Sequence, residues 1–252
     1  MTVPREREWY AISLRPQGQH RRLRDAVARA GGHLLALSPL RIVALDDAAT
    51  RARLDGALAA PRCIFTSPNA ADNAARLHTR RIPEAIAVGA GTAAALRRFG
   101  IAEVISPSRM DSEGLLELAE LHDVAGQAIG LVTGEGGRGL IERSLRGRGA
   151  TIVRADVYRR EMVEFSPAAL KRFDALPAAT MLFVTSAEAL SAALAQLNAT
   201  RRAKLLALPA IAASERLREA CMQAGFARAG IAASARPHDL AAAARGMAGD
   251  GD

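Results

Sequence analysis

The sequence predicts an α/β protein of two doubly wound parallel-sheet domains, interlaced and joined by a two-stranded linker. Three observations carry that expectation. The first is an internal repeat: residues 11–37 (AISLRPQGQHRRLRDAVARAGGHLLAL) match 129–155 (IGLVTGEGGRGLIERSLRGRGATIVRA), 65–77 (FTSPNAADNAARL) match 184–197 (VTSAEALSAALAQL), and 88–100 (VGAGTAAALRRFG) match 213–225 (ASERLREACMQAG). Repeats this long mark a duplicated domain, since solenoid periods run about 20–50 residues. The second is the alternation of short apolar runs with helix-length segments, the pattern of a parallel sheet covered on both faces. The third is extended chain continuing past the repeat's second strand at equivalent places, SPLRIVAL at 38–45 and DVYRREMVEF at 156–165. Two equivalent crossings imply that the chain leaves the first domain, builds the whole second and returns. The first domain is then 1–38 plus 163–252, the second 41–160, with 38–45 and 156–165 as the crossings. A simple tandem would need a linker near 122–127, and HDVAGQ does not read as one.

Residues 9–15 read as a buried strand, followed by a helix over 17–30 that Gly31 and Gly32 stop. A strand over 33–37 is broken by Pro39 and extended chain resumes over 41–45. A helix over 47–60 ends at Pro61, a short buried strand covers 63–66, and Ser67 caps a helix with Pro68 at its first position. Strand 85–88, the turn GAG and a helix over 92–99 closed by Gly100 come next. Strand 103–105 leads to a helix over 113–121 capped by Asp111 or Ser112. The second copy repeats the alternation: strand 128–132, helix 138–147, strand 151–157, helix 167–174, strand 181–185, helix 187–197, strand 210–213 and helix 214–224. A helix over 238–247 closes the fold, and the tail MAGDGD is expected to be disordered.

Composition narrows the function classes. A chain of 252 residues, 50% hydrophobic, suits two domains each able to bury a core. Aromatics are only 4%, so alanine and leucine supply the packing. Net charge is +8, from 34 Lys+Arg against 26 Asp+Glu, and nearly all the cations are arginine. That balance favours anionic partners. The arginines are dispersed along helices with no basic block interleaved with aromatics, so nucleic acid is not the expected partner. No apolar run approaches the ~18 residues of a membrane span, and MTVPREREWY is no signal segment. Cys63 and Cys221 lie in apolar surroundings far apart, as buried thiols of a reducing cytoplasm. His20, His33, His78, His122 and His238 have no metal-ligand spacing, so no metal is expected. The expectation is a cytoplasmic protein, monomeric, without a membrane partner.

Ligands of doubly wound sheets sit at the carboxyl ends of strands, where helix amino termini present free N–H groups. Those positions are Arg15, Ser67, Gly89, Gly134, Ser186 and Ser214, a row of hydroxyls and glycines with little acid–base machinery. Ser67 and Ser186 open equivalent helices as caps, or hold anionic groups across a cleft between duplicated domains. Thr92 is a cap or a ligand donor, and Arg15 and Arg138 are solvated arginines or carboxylate clamps. The loop GEGGRG at 134–139 satisfies G-x-G-x-x-G, with Asp156 placed 22 residues beyond Gly134 where a ribose-binding acid would stand. Against dinucleotide binding, the matching loop RPQGQH lacks the glycines and Glu135 would face a pyrophosphate. Tyr158, one of two tyrosines, lies in a crossing segment before Arg159 and Arg160. It packs a hinge, or exchanges a proton with a substrate.

FTSPNA with its helix, AVGAGTAAALRRFG, the P-x-x-x-x-S-E-G-L-L stretch at 107–116, and LVTGEGGRGLIERSLRGRGATIVRADVYRRE together resemble the uroporphyrinogen-III synthase family, from Tyr10 to about Ala243. The departure is AASERL, where the family often has a glycine-and-threonine turn. The resemblance implies two flavodoxin-like domains joined by a two-stranded ladder. It implies cyclisation of hydroxymethylbilane with inversion of the last ring and loss of water, by ionisation of the hydroxymethyl group, a spiro intermediate, fragmentation and reclosure, with no cofactor. Tyr158 matches the family's cleft tyrosine and would assist departure of the hydroxyl, while Ser67, Thr92 and Ser186 match positions lining the cleft. A linear tetrapyrrole polycarboxylate suits arginines and helix amino termini.

Overall fold

The computed structural model describes residues 8–77, 84–136 and 139–249. In chain order its elements are β1 (Trp9–Ser13), α1 (Arg21–Arg29), β2 (Gly32–Ala36), β3 (Leu40–Ala44), α2 (Ala48–Leu58), β4 (Arg62–Phe65), α3 (Pro68–Leu77), β5 (Ala85–Ala87), α4 (Ala90–Arg98), β6 (Val104–Ile105) and α5 (Ser112–Leu116). After a 3-10 turn at Ala119–Leu121 come β7 (Ala128–Gly134), α6 (Leu140–Gly147), β8 (Thr151–Met162), α7 (Pro167–Asp174), β9 (Thr180–Val184) and α8 (Ala187–Gln196). The chain ends with α9 (Ala199–Ala207), β10 (Ala210–Ala212), α10 (Glu215–Ala224), β11 (Ala229–Ile231) and α11 (Pro237–Gly249).

These elements form two units, Met1–Arg41 with Glu161–Asp252, and Ile42–Arg160. The chain enters the second unit inside β3 and leaves it inside β8. The first unit's sheet runs β11-β10-β9-β1-β2, and the second sheet runs β6-β5-β4-β7-β8 with β3 added beyond β8. The repeat pairs β1 with β7, β2 with β8, β9 with β4 and β10 with β5, so both sheets have one strand order. That is the flavodoxin order, entered at a different strand in the second unit. The pairs β1–β2, β1–β9, β9–β10, β10–β11, β4–β5, β4–β7, β5–β6 and β7–β8 are parallel. β3 is antiparallel to β8: Leu45 N–H donates to the Val157 carbonyl at 3.1 Å and Val163 N–H to Pro39 at 2.9 Å.

Strand alternation explains why both faces of each sheet are covered. In the first unit Trp9, Ala11, Met181 and Phe183 join Leu23, Val27, Leu240 and Ala244 on one face. Ile12, Leu14, Leu182 and Val184 join Phe173, Leu190, Leu194, Leu205 and Leu217 on the other. The second unit divides likewise, Cys63, Phe65 and Val132 packing with Leu54 and Leu96, and Ile64, Ile129 and Leu131 with Ile141 and Leu145. The repeat holds side chain by side chain: Leu23 and Val27 of α1 correspond to Ile141 and Leu145 of α6, at 0%, 0%, 6% and 0% exposure. Each such side chain stabilises by about 1.5–3 kcal/mol on burial. Backbone punctuation repeats as well. Gly18 and Gly136 both lie at φ +78°, and Gly31 and Gly149 at +79° and +83°. These left-handed turns suit glycine, which has no Cβ to clash.

Several boundaries differ from the sequence reading. The helix expected over 17–30 starts at Arg21, because Gly18 turns the chain and Gln19 N–H bonds back to the Pro16 carbonyl at 3.1 Å. The helix expected over 113–121 stops at Leu116, with Leu118 extended. Arg148 Nη1 takes the carbonyls of Leu116 and Leu121 at 2.9 and 2.7 Å, which satisfies backbone groups a longer helix would have used. Of the helix expected over 138–147, Arg138 lies outside the described residues, and the helix begins after Gly139. α9 and β11 have no counterpart in the sequence reading; α9 is started by Asn198, whose Oδ1 accepts from Arg201 N–H at 3.0 Å. The tail expected to be disordered from Met247 continues α11 through Gly249, and Met247 packs on the Trp9 side of the sheet. His78 also lies outside the described residues.

One polar knot ties β1, α1 and the end of β2. His20 is 6% exposed, its Nδ1 3.1 Å from Ser13 Oγ and its Nε2 2.7 Å from Ser38 Oγ. In the neutral imidazole one ring nitrogen donates to a serine oxygen and the other accepts a serine hydroxyl. Burial, then Arg24 and Arg15, lower its pKa from 6.5 to about 4. Between those values the unfolded chain binds a proton that the folded protein refuses. The stabilisation is therefore complete above pH 6.5 and is lost as pH falls toward about 4. The expected loss is roughly 2 kcal/mol, less than the full linkage value because Arg24 faces solvent. Denaturant melts at pH 7 and pH 4.5 should show a smaller acid loss in His20→Asn than in the parent chain, and equal losses would remove His20 as the cause.

The second expected outcome concerns the units. A fragment of residues 41–160 contains every strand of the β6-β5-β4-β7-β8 sheet, whereas 1–122 lacks β7 and β8 and holds β1 and β2 without β9. The first should melt cooperatively and the second should not, as read by circular dichroism.

Candidate functional site

In this strand order the topological switch lies between β7 and β4 in the second unit and between β1 and β9 in the first, and ligands of such sheets sit at the carboxyl ends there. The second unit brings together three of the expected residues: Ser67 just after β4, Gly134 at the end of β7, and Tyr158 on β8. The register explains how. Thr133 pairs with Asp156 but Gly134 pairs with Tyr158, so Val157 is the extra residue of a bulge. A bulge re-aims the side chains beyond it. Ala155, Val157 and Tyr158 consequently share one face, packed in the same cluster.

The Tyr158 ring is 2% exposed and lies flat against Gly134, where any Cβ would stand 2.4 Å from the ring's Cζ. Here glycine is required by close approach. Tyr158 Oη is 3.1 Å from Ser67 Oγ, and Ser67 Oγ also accepts from Ala70 N–H at 3.0 Å, capping α3. Arg160 stands two residues further along β8 and so on the same face. Its Nη2 donates to Tyr158 Oη at 3.1 Å, its Nη1 to the Glu135 carbonyl at 3.3 Å, and its Cζ lies 5.3 Å from the ring centroid. Beside this group Thr66 Oγ1 bonds Thr133 Oγ1 at 2.7 Å, tying β4 to β7. Sequence reasoning noted Arg160 but gave it no role; the signal was its two-residue spacing from Tyr158.

The remaining candidates divide. Gly89 precedes α4 without a side-chain cap, so the first N–H groups of that helix have no side-chain acceptor, and Pro68 of α3 sits against Gly91. Thr92 is 2% exposed, and its repeat partner is the core residue Leu217 at 4%. It therefore enters the site through the helix start rather than its hydroxyl. In the first unit Ser186 caps α8, accepting from Ala189 N–H at 3.3 Å. Ser214 precedes α10 without capping it, though Glu215 brings a carboxylate, ion-paired with Arg218, into that first turn. Arg15 is half-buried, donates to the Ala235 carbonyl at 2.9 Å, and has its pKa lowered by burial. Arg138 lies outside the described residues.

The dinucleotide reading loses its acid. Asp156 lies within β8 and is held by Arg154 through Nη2 at 2.8 Å, with Nη1 of the same guanidinium on Glu142 at 2.9 Å. The shared φ of Gly18 and Gly136 makes the glycine turn a property of the fold in both copies. Among the described residues no group of three His, Cys, Asp or Glu is placed to hold a metal. Cys63 and Cys221 are both free and buried, burial pushing the Cys63 thiol up and the Cys221 thiol up to about 11. Neither is a thiolate nucleophile at neutral pH.

Comparison with known proteins bears on the fold and the family of the chain. The chain is 35% identical over 111 residues to the uroporphyrinogen-III synthase of Escherichia coli K12, covering 44% of this chain and 45% of that protein. It is 37% identical over 79 residues to the Salmonella typhimurium enzyme of the same name, covering 31% and 32%. The matched stretches thus span less than half of those curated relatives. In structure it superposes on a mutant uroporphyrinogen III synthase from Thermus thermophilus with a TM-score of 0.64 at 16% identity, covering 96% of this chain and 100% of the other. Uroporphyrinogen-III synthetase from Helicobacter pylori gives 0.59 at 15%, covering 95% and 99%. At those identities the likeness establishes the fold alone. The family model described as uroporphyrinogen-III synthase HemD matches residues 21–242, nearly the whole chain, and the chain belongs to that family.

Proposed function

We propose that this chain converts hydroxymethylbilane to uroporphyrinogen III, inverting the last pyrrole ring and losing water. Family membership over 21–242 is the observation that carries the reading. The residues supply compatible chemistry. The substrate bears carboxylates on every ring; the uncapped start of α4 in the second unit offers N–H donors, and Arg15 in the first unit offers positive charge, to groups of that kind. The leaving hydroxymethyl group sits on an electron-rich pyrrole whose nitrogen lone pair expels it. One hydroxyl donor then suffices as acid, and Ser67 with Tyr158 behind it is the candidate. Loss of hydroxide and later loss of a proton from the closing ring carbon sum to water. The oxidation level does not change, so the step calls for no redox cofactor. What remains for the protein is conformational, holding the chain so that the inverted ring closes.

Among the described residues no helix is long and apolar enough to cross a membrane. Together with two buried free thiols, that supports our reading of a cytoplasmic enzyme, and nothing in the chemistry requires a second subunit.

Purified protein given hydroxymethylbilane, with the isomers separated by chromatography, should yield the type III product without added cofactor. Type I alone from folded protein would overturn the reading. Tyr158→Phe should lower turnover by about 10²-fold, the low end for a general acid, because the leaving group ionises readily. It should cost only about 1 kcal/mol in stability, the worth of one hydrogen bond. Full turnover in that variant would reduce Tyr158 to packing.

A further inference from the structure

The hydrogen bonds around Tyr158 leave only one arrangement of protons. A guanidinium donates and never accepts. The bond from Arg160 Nη2 at 3.1 Å therefore makes Tyr158 Oη an acceptor on that side. The phenol is 2% exposed, and among the described residues its other hydrogen-bonding neighbour is Ser67 Oγ, also at 3.1 Å. Its own proton has nowhere else to point, so Tyr158 donates to Ser67. Ser67 Oγ then receives two hydrogen bonds, from Tyr158 and from Ala70 N–H. Both lone pairs are used, and its own proton is directed away from the cluster. Ser67 is half-buried where Tyr158 is not exposed, so the hydroxyl that meets a ligand is the serine's.

We propose that Arg160 is the positioning residue that orients this chain of hydrogen bonds, so that Tyr158 acts through Ser67 and Ser67 presents the proton. The inference rests on the proposed reaction only for its kinetic consequence. In that reaction Ser67 gives its proton to the departing hydroxyl, and the carbon–oxygen electron pair leaves with the oxygen as water. Ser67 takes the phenol proton in the same movement. The phenolate remains beside the Arg160 charge until the closing ring carbon releases a proton that restores it. Without Arg160 the phenol oxygen has a free lone pair, Ser67 can turn and donate inward, and the outward proton is lost.

Two tyrosines make the test direct, since Tyr10→Phe leaves Tyr158 alone. Tyr10 stacks on His33 in the other unit and has no place in the site. A phenol can donate, accept or do both, and the relative intensities of the tyrosine Raman doublet report which. In the Tyr10→Phe background the doublet should have the intensity ratio of a phenol that does both. Arg160→Met should shift it toward the acceptor-only ratio, because Ser67 then donates to the phenol, Ser67→Ala should shift it the same way with Arg160 still donating, and Arg160→Lys should restore it in part. An unmoved doublet in Arg160→Met, or a shift toward donor in either variant, overturns the proposal. In the assay of isomers, Arg160→Met should lower kcat on the order of 10-fold with little change in KM. A raised KM with kcat kept would instead make Arg160 a carboxylate holder and also overturn it. Failure of the parent chain to form type III product would reject the proposed function and leave the spectroscopic result standing.

Discussion

Each of the two sheets is apolar on both faces, and covering both faces at once leaves only the strand ends for chemistry. In β1 the alternation sends Trp9 and Ala11 one way and Ile12 and Leu14 the other. In β7 it separates Ile129 and Leu131 from Val132. Helices must then return over both faces, the strand-to-helix turns fall at one edge, and the helices that follow those strands point their amino termini there. Ser67, Gly89, Gly134, Ser186 and Ser214 stand along those edges for this reason, before any question of ligand arises. The short turns from β4, β5, β9 and β10 into their helices need no left-handed residue, whereas the β1–α1 and β7–α6 connections each turn through a glycine at the same φ, Gly18 and Gly136.

The site in the second unit is made by one departure from that regularity. Had β8 kept the register of Thr133 with Asp156, Gly134 would face Val157 and the tyrosine would fall on the opposite face. The bulge brings Tyr158 onto the Val157 side. A ring of that size fits beside β7 only because Gly134 has no side chain. Bulge, glycine and tyrosine are therefore one feature: a side chain at residue 134 would displace the ring from Ser67 and Arg160 together. Two residues on, the restored alternation returns Arg160 to the phenol. Loss of ladder pairing at the bulge costs the fold something, and strand irregularities of this kind concentrate next to functional residues.

Legibility in the sequence divides along the same line between regular and irregular. The lead units, the Ser67 and Ser186 caps and the stop at Gly31 are local signals, and the duplication states the lead units and caps twice. α9 and β11 had no such second statement. Asn198 alone marked the start of α9, and Ala229–Ile231 is too short for its pattern to stand out. The early end of α5 depends on Arg148, about 30 residues distant, whose guanidinium takes two of its neighbourhood's carbonyls. No window of sequence contains that interaction. Tyr158 was legible as a rare residue in an unusual segment, but its burial was not, because burial there depends on a pairing register. Thr92 was read as a hydroxyl at a helix start, and only its alignment with Leu217 reveals a core position.

The sparse acid–base equipment that the sequence displays becomes understandable once hydrogen-bond direction is traced. His20, the buried histidine, is fastened between Ser13 and Ser38 and kept neutral, so it serves the first unit's structure. The buried thiols are held protonated. What remains near the β4–β7 switch is a serine, a phenol and a guanidinium in line. Such a line can move a proton because every member already donates to the next. Arg160 contributes without touching the proton. An all-donor cation at one end permits only one sense for the bonds beyond it, and that sense ends on the hydroxyl that faces outward.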